Sequence, residues 1–367
     1  MDFQLSDDQR ALRSGMRDLL GAVFGPGRLR AAVERDGVLD RSLWRELGAA
    51  GFFALRLPED AGGVGLGLPE AVLLFEETGR VLLPGPLVAT HLAAGLVEGA
   101  AEGEAVVTAV DADLPVAHLA EADAVLVGAE PLAGEPLTGE ALRAFVAGAR
   151  PVRSMDPLTP LHRAPAGTAA AAGRVSAAEG SRAASERTRA DTRRAPAATE
   201  RTPAHAGRFH CEATLLTAAE QLGSAARTTE AAVQHAGSRQ QFGSPIGSFQ
   251  AVKHLCADML ARTEPARAAV YAAAVTGDPV EIAAAKLLAD EAAVRNARDC
   301  LQIHGGMGFT WEADVHLHLK RAWIRAASWL SGAGAEELLA ADLGAAGRLR
   351  RSSTAYGRRA PEAGGGG

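Results

Sequence analysis

The chain opens on a helical rhythm. Leu5, Leu12, Met16, Leu19 and Leu20 return at helical spacing behind Ser6, which predicts an amphipathic helix with a serine cap. Leu43, Trp44 and Leu47 predict a further short helix, ended by Gly48 and Gly51. The run from Leu57 to Gly67, LPEDAGGVGLG, holds too many glycines for a regular element and reads as a loop. A helix follows from Pro69, carrying Val72, Leu73, Phe75 and the pair Glu76 and Glu77. Pro84 and Pro86 break it, and another helix is expected from about Leu87 to Val97. From about residue 105 the pattern changes to short valine-rich runs, Ala105 to Val110 and Ala124 to Val127, which read as strands. From about Thr214 helical spacing returns. Leu215, Leu216, Ala219, Leu222, Ala226 and Val233 mark one helix face, and Phe249, Val252, Leu255, Met259 and Val270 a second. Ile282, Leu287, Val294 and Leu301 mark a third, and Val315, Leu319, Trp323 and Leu330 a fourth. Four long amphipathic helices joined by short loops predict a bundle.

The expected organisation is a helical domain over 1–103, a reduced β middle region over 104–162, and a four-helix bundle over 211–346 with a flexible tail over 347–367. The window 163–210 fits none of these. Val175 and Phe209 are its only large hydrophobic residues, while arginine occurs nine times and alanine dominates. Such a stretch cannot bury enough apolar area to offset roughly 1–2 kcal/mol of backbone entropy per residue. It reads as disordered, or as an out-of-frame segment of a GC-rich gene; sequencing the gene for an alternative frame that encodes apolar strands separates the two. Only three of the 38 basic residues are lysine (Lys253, Lys286 and Lys320), in keeping with the same coding bias.

Composition narrows the function classes. The 367 residues carry 38 basic and 44 acidic side chains, a net charge of −6 that offers no global footprint for nucleic acid. Cys211, Cys256 and Cys300 form neither a disulfide framework nor a metal spacing, and read as reduced thiols. No apolar run is long enough for a membrane span, and the acidic-polar start MDFQLSDDQRALR does not read as a signal peptide. A cytoplasmic protein is expected.

Two interhelical loops are richer than connectors need to be. The first, Gly237 to Gln250 (GSRQQFGSPIGSFQ), adds Arg239, Gln241 and Phe242 to the usual turn residues. A guanidinium can fork onto a diphosphate, an amide can hydrogen-bond, and a phenyl ring can flank an adenine. The second, Gln302 to Thr310 (QIHGGMGFT), has Gly305 and Gly306, where backbone N–H groups can approach an anion without a Cβ in the way. Neither is a strand-to-helix dinucleotide fingerprint, so a Rossmann site is not indicated. His316 and His318 stand two apart on a helix and face different ways, which argues against a metal pair. His304 sits beside the glycines, where it either lines a ligand site or serves as a passive hydrogen-bonding loop residue, and Ser331 lacks a nucleophile-elbow context. Glu76 and Glu77 read as helix-surface or interdomain carboxylates.

Together, SRQQFGSPIGSFQAVKHLCADM and QIHGGMGFTWE resemble the C-terminal bundle of acyl-CoA dehydrogenases, and LPEDAGGVGLG followed by EETGR resembles their N-terminal helical domain. The resemblance covers roughly 1–100 and 213–345, and more loosely 105–161. It implies a mainly α fold: an N-terminal helical domain, a small β-domain and a four-helix bundle, assembled as dimers of dimers with FAD across the subunit interface. It further implies that Arg239, Gln241 and Phe242 meet the FAD of one subunit. Gln302, Gly305 and Gly306 would meet the adenosine-diphosphate part from the neighbour. The implied reaction removes an α-proton and a β-hydride from an acyl-CoA thioester to give a trans-enoyl-CoA, with electrons passing to an electron-transfer flavoprotein.

The sequence departs from that family in three places. The segment Ala327 to Gly332, AASWLSG with its flanking alanine, holds no carboxylate where many members carry the catalytic glutamate of a Tyr-Glu-Gly motif. A second family position for the base, near the start of the first bundle helix, falls on Ala213, with Glu212 one residue away as the candidate and Glu220 expected to face solvent. The middle region lacks the Thr-Glu-Pro and Trp-Ile-Thr segments that hold the flavin ring. The expected function is therefore an acyl-CoA dehydrogenase subunit, homo-oligomeric or paired with a related subunit, that holds FAD while a partner supplies the base. Alternatives are a non-catalytic helical scaffold and an oxygenase or oxidase on the same fold.

Overall fold

The computed structural model describes residues 4–111, 114–127, 135–166, 168 and 207–356. Most of the Ala/Arg-rich window lies outside the described residues. The N-terminal domain comprises α1 (Asp7–Val23), α2 (Pro26–Glu34), α3 (Arg41–Ala49), α4 (Leu68–Val81) and α5 (Leu87–Ala93). The Ser6 cap forms a reciprocal pair with Gln9: Ser6 Oγ accepts from the Gln9 N–H and Gln9 Oε1 from the Ser6 N–H, both at 3.1 Å. Helix α5 stops at Ala93 and not near Val97, turning out through Gly95 at φ +80°.

The described residues of the middle region hold five short strands. β1 (Val107–Ala109) pairs in parallel with β3 (Ala124–Leu126), while β2 (Val116–Ala117), β5 (Leu161–Arg163) and β4 (Arg150–Val152) form an antiparallel sheet in the order β2-β5-β4. The valine runs are thus strands, as their composition predicts. The intervening helix α6 (Gly139–Gly148) is not evident from the sequence pattern.

The bundle contains α7 (Arg208–Ser238), α8 (Gln250–Thr276), α9 (Pro279–His304) and α10 (Val315–Ala327), with α11 (Gly332–Tyr356) laid against α9. Three details differ from expectation. Helix α7 starts at Arg208, so Phe209 belongs to the bundle and is buried there. Leu330 falls outside the fourth helix, in the α10–α11 turn. The last helix continues past residue 347 to Tyr356. Asp278 starts α9 by accepting from the N–H groups of Val280 (2.8 Å) and Glu281 (3.1 Å).

Helices α4 and α7 cross backbone to backbone at two glycines. A Cβ on Gly79 would lie 2.0 Å from the Glu220 carbonyl oxygen, and one on Gly223 would lie 1.9 Å from that of Glu76. This approach fuses the N-terminal domain and the bundle into one apolar core, in which α7 contributes Ala213, Leu216, Ala219 and Leu222. Charged groups reinforce the seam. Glu76 accepts from the Tyr271 hydroxyl at 2.6 Å and pairs with Arg267, and Glu77 is held by Arg17 at 2.7 Å and Arg80 at 3.3 Å. Neither carboxylate lies on the helix surface: Glu76 is interdomain, held from α8, whereas Glu77 is buried within the N-terminal domain, held from α1 and from its own helix.

Three buried histidines make the fold acid-sensitive. Burial, chiefly, lowers His91 and His316 to about 4 and His318, whose Nδ1 lies 2.8 Å from Ser224 Oγ, to about 3. The unfolded chain takes up these protons below about pH 6.5, whereas the native state takes them up only near the lowered values. Stability is therefore full above about pH 6.5 and falls as the pH drops towards 4, by up to about 1.4 kcal/mol per pH unit for each histidine. Urea unfolding at stepped pH should show this slope, reduced by one proton in His318→Gln; a stability flat between pH 6.5 and 4.5 contradicts it.

Candidate functional site

The two unusual loops come together at one end of the bundle. Helix α7 closes with the Arg239 N–H donating to the His235 carbonyl at 2.8 Å, and helix α9 closes at His304. The two terminal imidazoles stack, with ring centroids 4.1 Å apart and planes 20° from parallel. His304 Nδ1 also lies 2.8 Å from the Cys300 carbonyl oxygen, the passive role its position suggests. Beneath the stack, Ala232, Ala236, Met259, Cys300, Leu301, Ile303 and Val315 form a separate small core that fixes both loops.

The first loop is a hairpin, β6 (Gln240–Gln241) with β7 (Ser244–Pro245), turned by Phe242 and Gly243 at φ +55° and +80°. Two positive φ values are what a two-residue hairpin turn requires, and Asn-Gly or Asp-Gly supplies them at least cost. Here a phenylalanine occupies the first position, and the residue is 93% exposed. Placing a bulky residue at positive φ and aiming it at solvent costs on the order of 1 kcal/mol, and its ring contact within the chain is an edge-on one to Phe249 at 6.1 Å, which is the pattern of a binding residue. Gln241 Nε2 donates to the Gln240 carbonyl at 2.8 Å. The Arg239 guanidinium has no hydrogen-bond or ion-pair partner among the described residues.

The second loop is a short 3-10 turn, Gly305 to Phe309. Gly305 has φ +61° and ψ −141°, a conformation open essentially to glycine alone. No atom lies within 4 Å of where a Cβ would stand on Gly305 or Gly306. The Gln302 side chain is exposed beside them, as are Met307, Phe309 and Trp311. A free guanidinium, amides, bare backbone and aromatic faces therefore share one surface. That donor set fits a dinucleotide: cation and N–H groups for phosphate, aromatic rings for a base. Because the loops are neighbours within one chain, a single copy can present both to one ligand.

A second feature lies about 27 Å along α7, at 1.5 Å per residue from Ser238 back to Glu220. Here the start of α5, the end of β1 and helices α7 and α10 enclose a cavity of about 130 Å³, lined by Asp111, Glu220, Arg321, Arg325, Ser328 and Trp329 among others. Glu220 is buried and accepts from Arg325 Nη2 at 2.6 Å, which corrects its expected solvent position: α10 crosses α7 on that face. Burial pushes Glu220 up and Arg325 down to about 10, and their contact holds both charges. Arg321 pairs with Asp156 and donates to the Leu83 carbonyl at 3.2 Å. Burial acts to raise Asp156, but the Arg321 charge and the Thr159 and Leu158 hydrogen bonds outweigh it and hold the carboxyl below its usual range.

Glu212, the candidate base, is committed elsewhere. Arg56 forks onto it at 2.9 and 3.0 Å, and Arg208 donates at 2.9 Å. Burial acts to raise its pKa, yet the Arg56 and Arg208 bonds and charges outweigh it and leave the carboxyl below its usual range. A carboxylate clamped by two guanidiniums and lowered in basicity is an interdomain anchor, not a proton acceptor. Asp111, Arg321 and Arg325 escaped sequence reading altogether. Arg321 and Arg325 carry the one available signal, two charges four apart on the inward face of a helix. His316 packs edge-on to Trp311 at 5.0 Å, and no metal-holding group of His, Cys, Asp or Glu exists among the described residues. No helix among them is long and apolar enough to cross a membrane.

Comparison with known proteins agrees with the architecture. The family profile described as "Acyl-CoA dehydrogenase, C-terminal domain" matches residues 207–347, and the corresponding N-terminal domain matches residues 6–102. The chain is 34% identical over 323 residues to acyl-CoA dehydrogenase IpdE2 of Mycobacterium tuberculosis, covering 86% of this chain and 91% of the relative. Among solved structures it resembles the ChsE4–ChsE5 complex from Mycobacterium tuberculosis (TM-score 0.70, 23% identity, 98% of this chain and 100% of that one). It also resembles a glutaryl-coenzyme A dehydrogenase in complex with glutaryl-CoA (TM-score 0.72, 19% identity, 94% and 96%). With both terminal domains matched and 34% identity over 323 aligned residues to a relative, the chain belongs to the acyl-CoA dehydrogenase family of FAD-dependent oxidoreductases.

Proposed function

We propose that this chain is an acyl-CoA dehydrogenase subunit whose paired loops grip FAD in an oligomer. The observation that carries the reading is the shared exposed surface of Arg239, Gln241, Phe242, Gln302, Gly305 and Gly306, with the Arg239 guanidinium unpaired among the described residues and the first loop shaped by a turn that costs backbone strain. Arg239 holds the diphosphate, Gly305 and Gly306 offer N–H groups, and Phe242 covers the adenine end. Bound FAD would supply the two-electron acceptor for a β-hydride; an electron-transfer flavoprotein would take the electrons onward.

The assembly is shared between copies or with a related subunit. The loops and the cavity stand about 27 Å apart along α7, which favours a dinucleotide gripped by one copy and reaching the cavity of another. The ChsE4–ChsE5 neighbour is itself a complex of two named chains, which supports a heteromeric alternative. The test is to purify the chain alone and co-expressed with a related subunit, then record the flavin absorption and dye-coupled oxidation of acyl-CoA. The expected result is flavin and turnover in the oligomer; an oligomer that lacks flavin and leaves acyl-CoA unchanged overturns the reading in favour of a helical scaffold.

A further inference from the structure

The Ala327–Gly332 turn has no carboxylate of its own, but the fold brings one to it. The backbone N–H of Trp329 donates to Asp111 Oδ2, at the end of the β1 strand and on the wall of the cavity. Among the described residues lining that cavity, the acidic ones are Asp111 and Glu220. Glu220 is spent on Arg325, and His118, also on the wall, is engaged with Glu121 at 3.0 Å. Glu212 is clamped by Arg56 and Arg208 and does not line the cavity. Asp111 is thus the carboxylate that meets both the turn and the cavity without a cation bonded to it.

We propose that Asp111 is the base that takes the α-proton of the acyl-CoA substrate, supplied from the middle region in place of the missing glutamate. This rests on the dehydrogenase reading above. The Cα–H bond breaks with its proton passing to the Asp111 carboxylate, and its electron pair becomes the Cα=Cβ bond. The Cβ–H bond breaks with its pair as hydride, accepted by the flavin oxidant, so the thioester loses two electrons and two hydrogens to become the enoyl-CoA. The surroundings favour the role. Burial, opposed by the Trp329 N–H bond and by the charges of His210 on α7 and Lys286 on α9, raises the Asp111 carboxyl above its usual range, towards the basicity a general base needs. The Trp329 bond also fixes its orientation, on a turn whose own residue sits at φ +63°.

The test separates proton abstraction from hydride transfer. The flavin-loaded assembly is incubated in D₂O with a 3-thia-acyl-CoA, which has an acidic α-proton but no β-carbon hydride to lose, and deuterium at the α-carbon is read by mass spectrometry. Asp111→Asn keeps an oxygen to accept from Trp329, so the turn is retained while the base is lost. The expected result is exchange in the wild type, reduced about 100-fold or more in Asp111→Asn, with the flavin spectrum unchanged. Exchange at the wild-type rate in Asp111→Asn, or none in the flavin-loaded wild type, overturns the assignment. Should Asp111→Asn not fold, Asp111→Glu replaces it: a shifted pH profile of exchange supports the assignment and an unchanged rate and profile overturns it. An enzyme that oxidises acyl-CoA while indifferent to Asp111 defeats this inference alone, whereas an assembly without flavin defeats the dehydrogenase reading.

Discussion

Gly223→Ala is expected to destabilise the protein by about 3 kcal/mol or more, although the same change in an open helix gains close to 1 kcal/mol. The sign reverses because the new methyl has nowhere to go. It would stand 1.9 Å from the Glu76 carbonyl oxygen and 3.0 Å from the Arg80 nitrogen, backbone atoms of α4 that cannot rotate aside. Gly79→Ala meets the Glu220 backbone from the other side. Either change must push α4 and α7 apart, and that separation also lengthens the Glu76–Arg267 and Arg80–Glu230 contacts between the N-terminal domain and the bundle. Denaturant unfolding measures the loss. A Gly223→Ala protein as stable as the parent would show that the two helices do not meet at these glycines.

Glu220→Ala should cost about 3–5 kcal/mol, for a different reason. The pair with Arg325 is buried, and removing one member leaves a guanidinium without its counter-charge in a site where burial already lowers its pKa to about 10. Arg325 also has a buried nitrogen, Nη1, without a hydrogen-bond partner, so it has no second acceptor to turn to. Removing both charges together, as Glu220→Leu with Arg325→Met, should recover much of the loss, since an apolar pair of similar size requires no desolvated charge. A single Glu220→Ala variant within 1 kcal/mol of the parent would place this pair in water.

The sequence makes the helices legible because their signals are local. Ser6 and Gln9, Asp278 with Pro279, and the leucine spacing each act within a few residues, and each element they announce is present. The loops were legible for a related reason: Arg239, Phe242 and the glycines after His304 are costly choices for a connector. The cavity was not. Asp111, Glu220, Arg321 and Arg325 come from three parts of the chain separated by more than a hundred residues, and only the crossing of α10 over α7 brings Glu220 out of its expected solvent position. Glu212 illustrates the converse. Its place near a family base position made it a candidate, yet Arg56, 156 residues away, decides what it does.

The proposed phosphate grip in the loops and the proposed base at the domain junction stand about 27 Å apart along α7. The measurement closest to the central claim is an equilibrium titration of the flavin-stripped assembly with FAD, for the parent and for Arg239→Ala. A charge-assisted contact to a diphosphate contributes about 1.5–3 kcal/mol, so the dissociation constant should rise roughly ten- to a hundred-fold in the variant, with its oligomeric state unchanged. Equal affinities in the two proteins would mean that the paired loops do not hold the dinucleotide.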